Sequence, residues 1–426
     1  MDTGHGPQEH QEDYSFMQET FKDEQLSPKK IIVKTCKWLA LGVLFGAAAC
    51  ISFFALKPWA EETFQEEPDQ VEIQQNDDDL EQDEVDNTDD FNPPELPQTQ
   101  EREDLSLKDY FDLSNELMKV AQGAQSSIVQ VTGLVENADW SSGANSILGT
   151  TAGIIVADND RELLILANYA SLKDTNMFNV EFVDGSVHPA TLKQKDKNLD
   201  MAVYCVSKED ITAETEEQIS IAKIGNSSRI LQGNTMIAIG QPFGVKAGLG
   251  YGIASSLNEK ATLADGEYDL IVTDMIYDEY GNGFLIDING FVVGCITTNG
   301  VKDSDVMVAY GISDITNVIE MMSNGKQIPY AGIIGTIVTE ETSELYGIPK
   351  GLFVTDVEVD SPAMKAGIQN GDVITKIGSV DIESLDIYHD ALYGLEPGRM
   401  VKFMGQRYGT AEYVAIDFAV TIGIKE

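Results

Sequence analysis

The stretch DEYGNGFLIDINGFVVGC, residues 278–295, reads as a tight turn at Gly281-Asn282-Gly283, an apolar strand over 284–288, a hairpin turn at Asn289-Gly290 and a second strand over 291–295. Asn-Gly between two apolar runs is a strong hairpin signal, because the favoured two-residue turn needs positive φ at its centre. The same rhythm of short apolar run and turn extends upstream. It is seen in SSIVQVTGLV (126–135), AGIIVADND (152–160), LLILANYA (163–170), MAVYCV (201–206), NTMIAIGQPFG (234–244) and DLIVTDMI (269–276). Helical spacing is confined to DLSNELMKVAQGAQ (112–125) before the first strand and DITNVIEMM (314–322) after the hairpin. Many short strands at regular spacing predict an all-β barrel or sandwich.

From about residue 328 the text changes. YAGIIGTIV (330–338) and GLFVTDVEV (351–359) read as strands, and SPAMKAGI (361–368) as a short helix behind a Ser N-cap. GDVITKIG and VDI follow as strands or turns, then a helix in SLDIYHDALYGL (384–395) and a closing hairpin over 398–420. This predicts a second compact domain of ordinary size.

The chain has 426 residues and a formal net charge of -43, from 71 acidic and 28 basic side chains. That balance excludes a nucleic-acid backbone as partner, which demands clustered Lys and Arg. No cluster of His, Cys and carboxylates has ligand spacing, so neither a metal nor another cofactor is expected. Of four cysteines, Cys205 and Cys295 fall in apolar strand text and read as buried free thiols, with a bridge between them a matter for geometry.

Residues 38–56, WLALGVLFGAAACISFFAL, form an uncharged apolar run. At about 1.5 Å per residue such a run crosses a hydrocarbon core of roughly 30 Å. Lys29, Lys30, Lys34 and Lys37 precede it, so the positive-inside rule predicts a cytoplasmic N-terminus and an extracytoplasmic remainder. The rival, a cleaved signal peptide, would need a shorter apolar core and a clear cleavage site. The expected organisation is a cytoplasmic tail (1–35), a transmembrane anchor (36–58), an acidic spacer (59–104) and two domains, 105–325 and 326–426. The spacer carries no Lys or Arg between Lys57 and Arg102, and reads as self-repelling, extended chain.

IAIGQPFGVKAGLGYGIAS (237–255), LIVTDM (270–275) and GLFVTDVEVDSPAMKAGIQNGDVITKIG (351–378), in this order, resemble the HtrA (Deg-like) family. The resemblance implies a mainly β fold: a trypsin-like double β-barrel followed by an α+β PDZ domain, here behind one N-terminal transmembrane helix. It also implies a Ser-His-Asp triad, in which serine attacks, histidine takes its proton and aspartate holds the imidazole. The family's aspartate motif matches Asp200 in Asp200-Met201-Ala202-Val203. Its histidine motif falls on Ile165-Leu166-Ala167-Asn168-Tyr169-Ala170, which puts Ala170 at the histidine. Its serine falls on Gly281, and shifting the turn by a residue brings Asn282 or Gly283 there, never a hydroxyl or thiol. Tyr280 and Phe284 also stand where the family pattern has Asn and Pro. Of the other candidates, His188 reads as exposed on a surface strand, His389 belongs to the last domain, and Cys295 lies in a buried strand without a base.

In the family's PDZ domain a carboxylate loop caps a peptide C-terminus that adds to a sheet edge. Tyr330, Ala331, Gly332 and Ile333 match that loop, with Ala331 trimming an apolar side chain and widening the pocket. Ile387 and Ala391, and with less claim His389, are the helix residues expected to line the groove. The resemblance implies peptide C-termini or unfolded proteins as partners, membrane attachment through the N-terminal helix, and a trimer contact near 115–125. Three functions stay open: a non-cleaving binder in protein quality control or regulatory scaffolding, an active endopeptidase with a rebuilt or partner-completed site, and a subunit that co-assembles with an active paralogue.

Overall fold

The computed structural model describes residues 70–75, 106–135, 146–298 and 305–425. The tail, the apolar segment 38–56 and most of the acidic spacer lie outside them. Among the described residues no helix is long and apolar enough to cross a membrane.

Helix α1 (Leu107–Gln125) starts earlier than its apolar spacing predicts. Ser106 accepts from the Asp109 N–H while the Asp109 carboxylate takes the Ser106 N–H, a reciprocal cap that satisfies donors the helix leaves unpaired. Strands β1 (Ile128–Val135), β2 (Ser146–Asp158), β3 (Glu162–Asn168), β4 (Met177–Glu181), β5 (Val187–Asp196) and β6 (Met201–Ser207) follow. They close into a barrel in the order β1-β2-β3-β6-β5-β4. After the one-turn helix α2 (Ala213–Glu216) come β7 (Thr235–Gln241), β8 (Gly248–Leu263), β9 (Gly266–Ile276), β10 (Asn282–Ile286), β11 (Val292–Thr297) and β12 (Val306–Gly311). These close a second barrel, β10-β11-β12-β9-β8-β7. Near-continuous burial along β3, β6, β10 and β11 reflects strands enclosed on both faces.

The hairpin is present with shifted bounds. The turn runs from Asp287 to Phe291, because the Asp287 carboxylate accepts the N–H groups of both Asn289 and Phe291 at 2.9 Å. The Gly-rich turn before it is shifted too: the Gly281 N–H donates to the Asp278 carbonyl, and Asn282 and Gly283 already belong to β10. His188, read as exposed, is 8% exposed. It takes an inward register on β5 and packs edge-on to Phe182 at 5.5 Å. Cys205 and Cys295 are buried free thiols.

Helix α3 (Ile312–Ser323) lays Ile315, Val318, Ile319 and Met322 into the barrel core. Residues 70–75, inside the segment read as a free spacer, run along it. The Val71 N–H donates to Asn324 Oδ1 at 2.9 Å and the Ile73 N–H to Glu320 Oε1 at 2.8 Å. Val71 and Ile73 pack on the core, so two apolar residues in acidic text are enough to dock the segment.

The last domain pairs β13 (Pro329–Tyr330) with β20 (Gly423–Ile424). Its main sheet runs β14 (Ile333–Ile337), β15 (Leu352–Val357), β16 (Val373–Ile377), β18 (Met400–Tyr408) and β19 (Tyr413–Thr421), with β17 (Val380–Asp381) beside β16. Helix α4 (Glu340–Tyr346) was not legible in the sequence. Helix α5 (Pro362–Ala366) has the expected Ser361 cap, and α6 (Leu385–Tyr393) is capped by Ser384. Leu352, Val354, Ile374, Phe403 and Leu392 form a core separate from that of the barrels. Strand β14 is the edge of this sheet, the place where a further strand can add.

Candidate functional site

Asp200 ends the turn just before β6 with φ at 56°, a left-handed conformation that Asp tolerates better than most residues. Its Oδ1 accepts the N–H groups of Tyr169 at 3.2 Å and Ala170 at 2.5 Å, and its Oδ2 faces Asn168 Nδ2 at 3.4 Å. Burial raises its carboxyl pKa against these hydrogen bonds. The aspartate therefore reaches the backbone of the position that the resemblance gives to histidine. Ala170 itself is exposed in a single 3-10 turn and offers no base.

Gly281 is buried, and its backbone is enclosed: a Cβ there would meet the Pro242 carbonyl oxygen at 2.5 Å and the Asp278 carbonyl oxygen at 2.9 Å. The next side chain, Asn282, is not free to react. Its Oδ1 accepts the Ala152 N–H at 2.7 Å and its Nδ2 donates to the Tyr280 carbonyl at 3.0 Å, which ties β10 to β2 of the other barrel. Burial pushes the Cys295 thiol up, away from the reactive thiolate.

The loop at 330–333, which the resemblance sets as the carboxylate cap, is built more completely. Gly332 has φ at 83°, which turns successive N–H groups of the loop toward one point. The N–H groups of Ala331 and Gly332 both donate at 2.7 Å to Oδ2 of Asp265, and the Ile333 N–H donates at 3.0 Å to its Oδ1. Tyr388 Oη donates to the same Oδ1 at 2.6 Å. Burial, with the Asp265 charge, pushes the Tyr388 phenol far above its ordinary value, so it remains a donor. In return the Asp265 N–H donates to the Ile333 carbonyl at 2.7 Å. Tyr330 turns its hydroxyl to the Glu358 carboxylate instead. Ile387 and Ala391 are half-buried and pack at the margin of this domain's core, while Tyr388 between them points inward.

Sequence reading missed Asp265 and Tyr388. Asp265-Gly266 is a legible turn signal, but nothing in it says which domain the turn will touch. The same face of α6 meets β9: the His389 ring stacks 6.1 Å from Tyr268 and 5.7 Å from Tyr393. Burial and the neighbouring Lys425 ammonium hold His389 below the ordinary imidazole range. Beside it Lys425 Nζ lies 3.2 Å from Asp196 Oδ2, both side chains almost wholly buried.

Residues 151–295 match the family profile of a trypsin-like peptidase domain and residues 332–418 that of a PDZ domain. The serine protease Do-like HtrB of Bacillus subtilis is 28% identical over 263 residues, 57% of this chain and 56% of that protein. A probable periplasmic serine endoprotease DegP-like of Chlamydia trachomatis is 28% identical over 288 residues, 65% of this chain and 54% of that protein. The chain thus spans about half the length of the curated relatives it matches. Among solved structures, the HtrA-type protease AlgW with decapeptide superposes with a TM-score of 0.51 at 22% identity, covering 73% of this chain and 99% of that one, a likeness of fold. With a trypsin-like peptidase match ahead of a PDZ match, and relatives of Do and DegP type, the chain is similar to the HtrA family of serine proteases.

Proposed function

We propose that this chain is a membrane-anchored, extracytoplasmic member of the family that no longer cleaves peptide bonds and binds peptide C-termini or unfolded segments through its PDZ domain. What carries this reading is a contrast between two sites. One has an aspartate hydrogen-bonded to backbone, with Ala170 and Gly281 where a base and a nucleophile are needed. The other has three consecutive N–H groups converging on a carboxylate at the edge strand of the sheet. Apolar run 38–56 supports the anchor, and periplasmic relatives support the compartment. Exposed Leu107, Tyr110 and Phe111 on α1 support an assembly contact there.

The test pairs two assays on the same preparation. Unfolded casein is incubated with the protein and with Asp200→Ala, which exposes a contaminating protease. A labelled peptide with an apolar last residue is titrated in free-acid and amidated forms. The expected result is no cleavage and a preference for the free acid. Cleavage that disappears in Asp200→Ala would overturn the reading in favour of an active endopeptidase with a rebuilt or partner-completed site.

A further inference from the structure

We propose that Asp265 is a built-in ligand of the PDZ groove: the tip of the β8–β9 hairpin occupies the carboxylate loop and must leave before a peptide C-terminus can enter. The inference rests on the reading of that loop as the peptide site, and adds its regulation.

Leu263 pairs with Gly266, so Ala264 and Asp265 form a two-residue turn at the end of two long strands of the second barrel. Asp265 sits at φ 61° and only 1% exposed, in the other domain's groove. A backbone N–H has one hydrogen. Those of Ala331 and Gly332 are already spent on Asp265 Oδ2 at 2.7 Å, short for a neutral donor and typical of a charge-assisted bond. Ile333 and Tyr388 complete the cradle on the other oxygen, so both lone-pair-bearing atoms of the carboxylate are held. The Asp265 N–H to Ile333 carbonyl bond is the first rung a peptide strand would make on the edge of β14. Carboxylate, backbone donor and strand edge are thus engaged in the manner of a peptide end, by a side chain. A second carboxylate cannot share these donors, so peptide and hairpin tip compete for one site. The apparent affinity for peptide is the intrinsic affinity reduced by the fraction of molecules whose groove is open.

Two variants separate the charge from the turn. Asp265→Asn keeps the shape, and Asp265→Gly removes the side chain while suiting the positive φ. With the full chain and a labelled free-acid peptide, we expect Asp265→Gly to bind at least about tenfold tighter than the native protein, and Asp265→Asn to fall between. Equal binding by native protein and Asp265→Gly would overturn the internal ligand and leave the peptide site intact. No binding by any form would sink the peptide-site reading and this inference with it. Hydrogen exchange without peptide reads the contact by itself: Asp265→Gly is expected to speed exchange of the amides 331–333 by about tenfold or more, and unchanged protection would overturn the contact. Should the variants not fold, the native protein still decides. Saturating peptide is expected to deprotect 264–266 while 331–333 stay protected, and peptide that binds without deprotecting 264–266 would refute the competition.

Discussion

Gly281, which the resemblance sets at the nucleophile's place, has no room for a side chain. Two carbonyl oxygens occupy the space of its missing Cβ, at 2.5 Å and 2.9 Å, and both belong to backbone that cannot rotate away. Gly281→Ser is therefore expected to lower stability by about 1–3 kcal/mol, read by denaturant titration. Combined with Ala170→His it is expected to leave casein cleavage at the blank rate, because the turn must shift before any hydroxyl is placed. Asp200 makes the opposite case, a carboxylate that burial disfavours. Its folded pKa lies above its unfolded value, so the native state holds a proton where the unfolded chain has lost it. The resulting penalty is absent below the unfolded value, grows as pH rises through the window and is complete above the folded pKa. An amide Oδ1 accepts the same two N–H bonds without a charge, and Asn suits the positive φ. Asp200→Asn should thus gain stability over the native protein above the carboxylate range, and lose that advantage in acid, as thermal melts across pH will show.

At the level of elements, one fork holds a PDZ strand to the short helix beside it. Arg407 on β18 makes a fork to Asp372, Nε to Oδ1 at 2.6 Å and Nη2 to Oδ2 at 2.7 Å, and also donates to the Gly367 carbonyl that ends α5. Asp372 is 1% exposed. A lysine brings charge but not the planar fork, so Arg407→Lys is expected to cost about 1–3 kcal/mol in denaturant unfolding and to loosen α5 by hydrogen exchange. Helix α1 presents the reverse situation, an apolar face with Leu107, Tyr110 and Phe111 exposed. If that face joins copies of the chain, Phe111→Glu should lower the mass measured by light scattering toward one chain without altering the far-ultraviolet spectrum.

For the whole molecule, the buried Asp196–Lys425 pair ties the PDZ domain's last strand region to the first barrel. Burial alone would lower the Lys425 pKa, but Asp196 and nearby acidic groups raise it on balance. Its stabilising share is complete below the unfolded lysine value and is lost only as pH climbs through the higher folded value. Lys425→Ala strands a buried carboxylate, and a loss of about 3–5 kcal/mol in denaturant unfolding is expected, little changed by salt. Such cross-domain pairs mark the limit of what a sequence discloses. An all-β domain was legible from short apolar runs and turn residues, and a second compact domain from Ser361-Pro362 and the closing hairpin, because those signals are local; the double barrel and the PDZ fold came from the resemblance. Asp200, Ala170 and Gly281 were singled out by resemblance alone. Asp265, Tyr388 and Lys425 were not legible, since each takes its meaning from a residue in another domain or far along the chain. His188 was misread because alternation along β5 decides its side, and the phase of a strand is set by its partners.

The two-residue turn at Ala264–Asp265 also sets a clock. If it must swing out first, the approach to equilibrium cannot outrun its departure however much peptide is added. Stopped-flow rates for the native protein should level off with peptide concentration, whereas those for Asp265→Gly should keep climbing in a straight line. A gate of this kind discriminates by persistence: a chain end that brushes past is ignored, and one held nearby long enough, as on an unfolded or crowded client, is captured.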